Sequence, residues 1–295
     1  MFTNRKRTPA TSSATAISVV LTSEMKAEET TISYGSRPYI LLKLLRYVLT
    51  DILKNRMVLM YTVFLFAVSF GMLSMSGDPL KGIASLLNIL LLVTPLLSII
   101  FPTIYFYNSY EFTELLAAQP VKRKTILISQ YLGLSISLIL SLLIGAGIPI
   151  LLLAPGNEGL TLIAAMSALT LVFVSLAMLS AQLTRDKARG IGLSILLWFY
   201  FTLLYDAIML MVMFAYIDYP MEKLTLTMVA LNPIDLARTI VLLQLDVSAL
   251  MGYTGALMQE IMGSSTGIIA ATGIMLLWAI LPFAIALRRF NRRDF

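Results

Sequence analysis

NSYEFTELLAAQPVKRKT, Asn108 to Thr125, is a polar island between two apolar runs. The flanking runs, about 83–106 and 127–153, could dissolve in lipid, and the island could not. A helix needs roughly 20 apolar residues to cross a bilayer. Working outward from the island, four more stretches meet that length, at about 57–75, 160–183, 191–217 and 267–288. The fold class this predicts is all-α: a polytopic membrane protein with six transmembrane helices.

Composition agrees. Of 295 residues, 58% are hydrophobic and 13% charged, with a mean hydropathy of +0.86, too apolar for a soluble domain of this length. The chain has no cysteine and no histidine. Disulfides, thiolate metal sites, a histidine pH switch and a Ser-His-Asp triad are therefore excluded. No H-E-x-x-H occurs, so zinc hydrolysis of that type is excluded too. There is no G-x-x-x-x-G-K-[ST] loop, so the chain is not its own ATPase by that route. The 17 methionines suit packing in apolar spans better than copper binding.

Residues 1–36 are rich in Ser, Thr and charge and read as a disordered tail, followed by one membrane domain over 37–295. The basic start at Arg5, Lys6 and Arg7 is followed only by the short apolar run Ala16–Leu21, too short for a signal peptide, and Met25 offers a second start. In PYILLKLLRYVLTDILKNR, Lys43, Arg46, Thr50 and Lys54 share one helix face, and leucines, Val48 and Ile52 cover the rest. That pattern predicts a basic amphipathic helix in the membrane interface, with Pro38 just inside its start. With the N-terminus in the cytoplasm, inner segments hold 19 of the 22 Lys and Arg, leaving only Lys81, Lys223 and Arg238 outside. The positive-inside rule selects this orientation, with both termini cytoplasmic, and makes the +6 charge a topology signal rather than a nucleic-acid footprint. The long outer loop, about 218–266, reads as short helices resting at the membrane surface.

Within the island, Asn108 and Glu111 fit a capping box. Phe112, Leu115 and Leu116 form an apolar stripe, with Glu111 and Glu114 near the other face. Pro120 ends the helix, and Lys122, Arg123 and Lys124 lead into the next span. Two readings stand: a capped interfacial turn, or a handle gripped by a cytosolic partner.

The arrangement resembles the permease subunits of ABC-2 type ABC transporters. An amphipathic helix before the first span and an acidic E-x-x-x-x-E-x-L-L-x-x-P-[VL]-x-R segment after the second mark that family. Here Glu111, Glu114, Leu115, Leu116, Pro120, Val121 and Arg123 match the segment, although the two acids are more closely spaced. The resemblance implies a coupling helix that docks on a separate cytosolic ATPase, with ATP and Mg on that partner and no cofactor in this chain. It also implies a homodimer in the bacterial inner membrane, and adds the loop of Arg185, Asp186 and Arg189 as a second ATPase contact.

Two further segments are Leu197-Trp198-Phe199 with Tyr205-Asp206, and Leu231-Asn232-Pro233-x-Asp235. They narrow the resemblance to NosY-type permeases, which support copper-centre assembly in nitrous oxide reductase. The role implied is transport serving that assembly, with a sulfur species rather than copper as cargo. A periplasmic accessory protein would then dock on the outer loops, with Asn232, Pro233 and Asp235 as its surface. A carboxylate inside a span is costly unless paired, protonated or hydrated. Asp206, with Tyr205 beside it, therefore either lines the transport path or dimer interface, or makes a structural contact with a neighbouring helix. A generic exporter of a drug, lipid or ion, and a mechanical scaffold for an outside protein, are the alternative functions.

Overall fold

The computed structural model describes residues 37–118, 122–216, 222–245 and 265–292, which contain helices and no strand. The tail over 1–36, Pro120, Val121, Gly263, the outer-loop acids Asp218, Asp246 and Glu260, and the Met251–Met262 group lie outside the described residues. The packing below is that within Leu44–Phe295.

Helix α1 (Arg37–Leu53) is the amphipathic helix. Its Val48 and Ile52 are buried, and Arg46, Thr50 and Lys54 are exposed. Among the described residues, six helices are long and apolar enough to span a membrane. They are α2 (Arg56–Met75), α3 (Pro79–Asn108), α5 (Arg123–Leu153), α6 (Asn157–Leu183), α7 (Lys187–Ala215) and α10 (Ser265–Asn291), whose apolar stretch is Ile269–Asn291. The short α4 (Tyr110–Ala118) lies between α3 and α5. Side chains fix several starts. The Asn55 carboxamide oxygen accepts from Met57 N–H, the Asp78 carboxylate from Leu80 N–H, and the Asp186 carboxylate from Ala188 N–H.

Helix α6 is the centre. Two thirds of its apolar stretch (67%) is buried inside the chain, against 11% for α7. Leu162, Met166, Leu169, Phe173 and Met178 are fully covered, and α3, α5, α9, α10 and α7 all pack on α6. Apolar contact alone gives no preference between helix and lipid, so hydroxyls add direction. The Ser194 hydroxyl of α7 lies 2.8 Å from that of Thr103 on α3 and 2.6 Å from that of Ser180 on α6. Gly145, in a π-helical turn of α5 (Leu143–Gly147), sits where a Cβ would overlap Leu65 and the Thr62 carbonyl of α2.

The outer loop contains short helices, as its sequence suggests, and the second of them packs into the bundle. Helices α8 (Glu222–Leu231) and α9 (Pro233–Gln244) meet at Asn232, and their axes are bent by 112°. Helix α9 enters the bundle and packs on α6, burying Pro233, Ile234, Asp235, Leu236 and Ala237 in succession. The first turns of α9 are covered, while Arg238, Ile240, Leu242, Leu243 and Gln244 are partly exposed, as are Leu224 and Leu231 of α8. The pair is a sharp elbow whose second arm packs on α6.

Candidate functional site

The first site is built on α4. Helix α3 runs to Asn108, and Ser109 alone separates it from α4. The predicted capping box does not form: the helix restarts one residue late, and Asn108 Oδ1 instead accepts from Lys187 Nζ at 2.7 Å. The anchor of α4 is Thr113, fully buried, whose hydroxyl donates to Ser109 O and accepts from Gln130 Nε2 of α5, both at 2.8 Å. Around that anchor Glu111, Phe112, Glu114 and Leu115 are exposed, Leu115 to 68%, and Leu116 is half-buried. Phe112 also meets the Tyr47 ring of α1 at 5.3 Å between centroids. The helix therefore presents two carboxylates and a leucine from a rooted base.

The Arg185–Arg189 loop sits beside it. Tyr107 Oη, near the end of α3, lies 2.8 Å from the Thr184 hydroxyl and donates to Thr184 O at 3.1 Å. This reach passes over Gly190, where any Cβ would collide with the Tyr107 ring and hydroxyl. Arg185, Asp186 and Arg189 are exposed, and the Arg189–Asp186 pair at 3.7 Å is a solvated surface contact. Arg123 Nη1 donates to Asn291 O at 3.4 Å, bringing the end of α10 to the same end of the bundle.

The second site lies where α7 meets the elbow. A π-helical turn, Tyr200–Leu204, interrupts α7 just before Tyr205 and Asp206. The π register leaves carbonyls without their α-helical partners, and Asn232 Nδ2 donates to Phe201 O at 3.0 Å. Asn232 also donates to Asp235 Oδ2 at 2.8 Å and caps α9 by accepting from Ile234 N–H. Pro233 occupies the first helical position, where its missing N–H costs nothing. Arg238, one turn further, pairs with Asp235 at 3.0 Å and Asp206 at 3.5 Å. Tyr205 Oη donates to Met228 O at 2.6 Å, and Trp278 Nε1 of α10 to Ala230 O at 3.1 Å.

This geometry corrects the sequence reading. Asn232, Pro233 and Asp235 are buried and do not form a docking surface. They close on Tyr205 and Asp206, so residues assigned to two sites make one cluster. Arg238 was missed as its hub because it reads as a loop residue. Two signals pointed to it: it lies three residues past Asp235, on the same helix face, and a cation is one of the partners that lowers the cost of an Asp inside a span. Thr113 and Gln130 were missed as well, although an amide inside a span is a signal of its own.

Comparison with known proteins joins these features. Residues 113–295 match the family model described as "ABC-2 family transporter protein". The chain is also similar to a "Probable ABC transporter permease protein NosY" of Pseudomonas aeruginosa, at 32% identity over 189 residues, covering 61% of this chain and 67% of that protein. The chain belongs to the ABC-2 family of transporter proteins, as a membrane-integral permease subunit. Permeases of this family work with ATPase activity that resides in a separate subunit.

Proposed function

We propose that α4 is where ATP-driven motion enters this permease. The observation that supports it most directly is the exposed set of Glu111, Glu114 and Leu115 standing on the buried Thr113–Gln130 contact. A short helix rooted in a span transmits a push, and its free carboxylates and leucine suit the groove of a cytosolic ATPase. Exposed Arg185 and Arg189 extend that surface across the Tyr107–Thr184 contact. In this reading the basic end of the bundle faces the cytoplasm. The ATPase carries ATP and Mg, and two copies of the permease pair in the bacterial inner membrane. The sparsely buried α7, with Asp206 on it, lies at their seam.

The particular role we infer is transport supporting copper-site assembly of nitrous oxide reductase, with a sulfur species as cargo and a periplasmic accessory protein outside. Likeness to the NosY permease supports it, together with the Leu231–Asp235 elbow and the Tyr205–Asp206 pair on which the resemblance rests. The test is mild-detergent purification of the tagged protein from its host, with mass spectrometry of what accompanies it. An ATPase plus a periplasmic protein encoded nearby is the expected result. An ATPase alone turns the reading to a generic exporter of a drug, lipid or ion. Neither, with the permease intact and abundant, overturns the role of α4.

A further inference from the structure

A groove of about 520 Å3 runs between α2 and α3, with Leu138 of α5 among its lining residues. Its wall is almost wholly apolar, from Met57 to Phe64 on α2 and from Val93 to Ile104 on α3. Val93 is at the middle of α3 and Ile104 is about one turn from its basic end. The rise between them is roughly 16 Å, close to half of a ~30 Å hydrocarbon core. Met57 lies in the first turn of α2, at the same end. The groove is therefore about one leaflet deep and begins where the basic end meets the headgroups.

Two cations adjoin its mouth along the chain. Lys54 and Arg56 immediately precede Met57 and are exposed, and neither belongs to an ion pair among the described residues. Asp51, the nearby acid, lies in an adjoining polar recess of about 290 Å3 with Tyr105, Asn55 and Asn108. A narrow apolar slot of leaflet depth, below two unpaired cations, has the chemistry of a lipid with a negative headgroup. Polybasic positions at a membrane surface attract such lipids.

We propose that this groove holds one acyl chain of an anionic phospholipid, with the headgroup phosphate at Lys54 and Arg56. The site is independent of the role assigned to α4. The test is native mass spectrometry of the full chain in detergent, titrated with phosphatidylglycerol and with phosphatidylcholine of matched chains. The wild-type chain is expected to retain one phosphatidylglycerol where phosphatidylcholine is lost. Lys54→Gln with Arg56→Gln is expected to reduce that preference on the order of tenfold, leaving weak binding of both lipids. Met60→Trp is expected to expel both, because it fills the slot; Met60 is 64% exposed, so the core stays intact. Retention of phosphatidylglycerol by Met60→Trp, or equal retention of the two lipids by the wild type, overturns the proposal. Displacement of phosphatidylglycerol by inorganic phosphate alone also overturns it, because the apolar slot then contributes nothing. So does a lipid-free dimer that Met60→Trp splits, since a second copy is then the occupant.

Discussion

The two polar regions of this chain are built in opposite ways. On α4 the anchor is neutral, a hydroxyl–amide bond between Thr113 and Gln130, and the carboxylates of Glu111 and Glu114 are exposed. At the elbow the charges themselves are the anchor. Arg238 ties Asp235, whose side chain is 7% exposed, to Asp206 of another helix, and Asn232 fills in behind them. Charges that satisfy one another hold helices together and have little left for a partner. Charges that stand clear of a neutral root cost the fold almost nothing and remain available. Removing one side of a buried pair strands the other, whereas removing an exposed charge strands nothing.

Unfolding free energies of variants in detergent, by thermal or denaturant titration, can break that contrast. The largest loss is expected for Arg238→Ala, about 3 kcal/mol. That is the low end for a stranded buried pair, because Arg238 and Asp206 keep 33% and 35% of their side-chain surface. Adding Asp206→Asn should recover part of it, and no recovery would mean that Asp206 is not held by Arg238. Gly190→Ala comes next, at about 1–3 kcal/mol, because its methyl displaces Tyr107 from Thr184. Thr113→Val should cost about 1 kcal/mol, the Gln130 bond, and loosen α4. The smallest effect on stability, within about 0.5 kcal/mol, is expected for Glu114→Ala with Leu115→Asp. That double variant should nevertheless stop co-purifying with an ATPase. Unchanged ATPase binding and turnover would remove α4 from the coupling route.

Much of this was legible in the sequence, for physical reasons. Crossing helices announce themselves because lipid tolerates so few polar residues, and all six spans fall within a few residues of the stretches read from hydropathy. The α4 helix was legible because its acids and leucines break an apolar context. What escaped was everything that depends on a partner far along the chain. Leu231-Asn232-Pro233 marks a helix start, but nothing in it says that the helix turns inward. Asp206 advertises a need for compensation, while Arg238 lies 32 residues away in a stretch that reads as loop. Nothing around Thr113 in the sequence marks it out, and only the Gln130 amide opposite makes it the root of α4.

The π-helical turn at Tyr200–Leu204 gives α7 one residue more than an α-helical turn would hold. Each residue of helix advances about 100° around the axis. Everything from Tyr205 to Ala215 is therefore out of phase with the first half of the span, and Asp206 points where it does because of that phase. The ion pair is thus set by counting as well as by chemistry. Were these residues wound as a regular α-helix, no charge would change, yet Asp206 would be turned away from Arg238; deleting one residue between 200 and 204 would let the span close regularly and keep the pair.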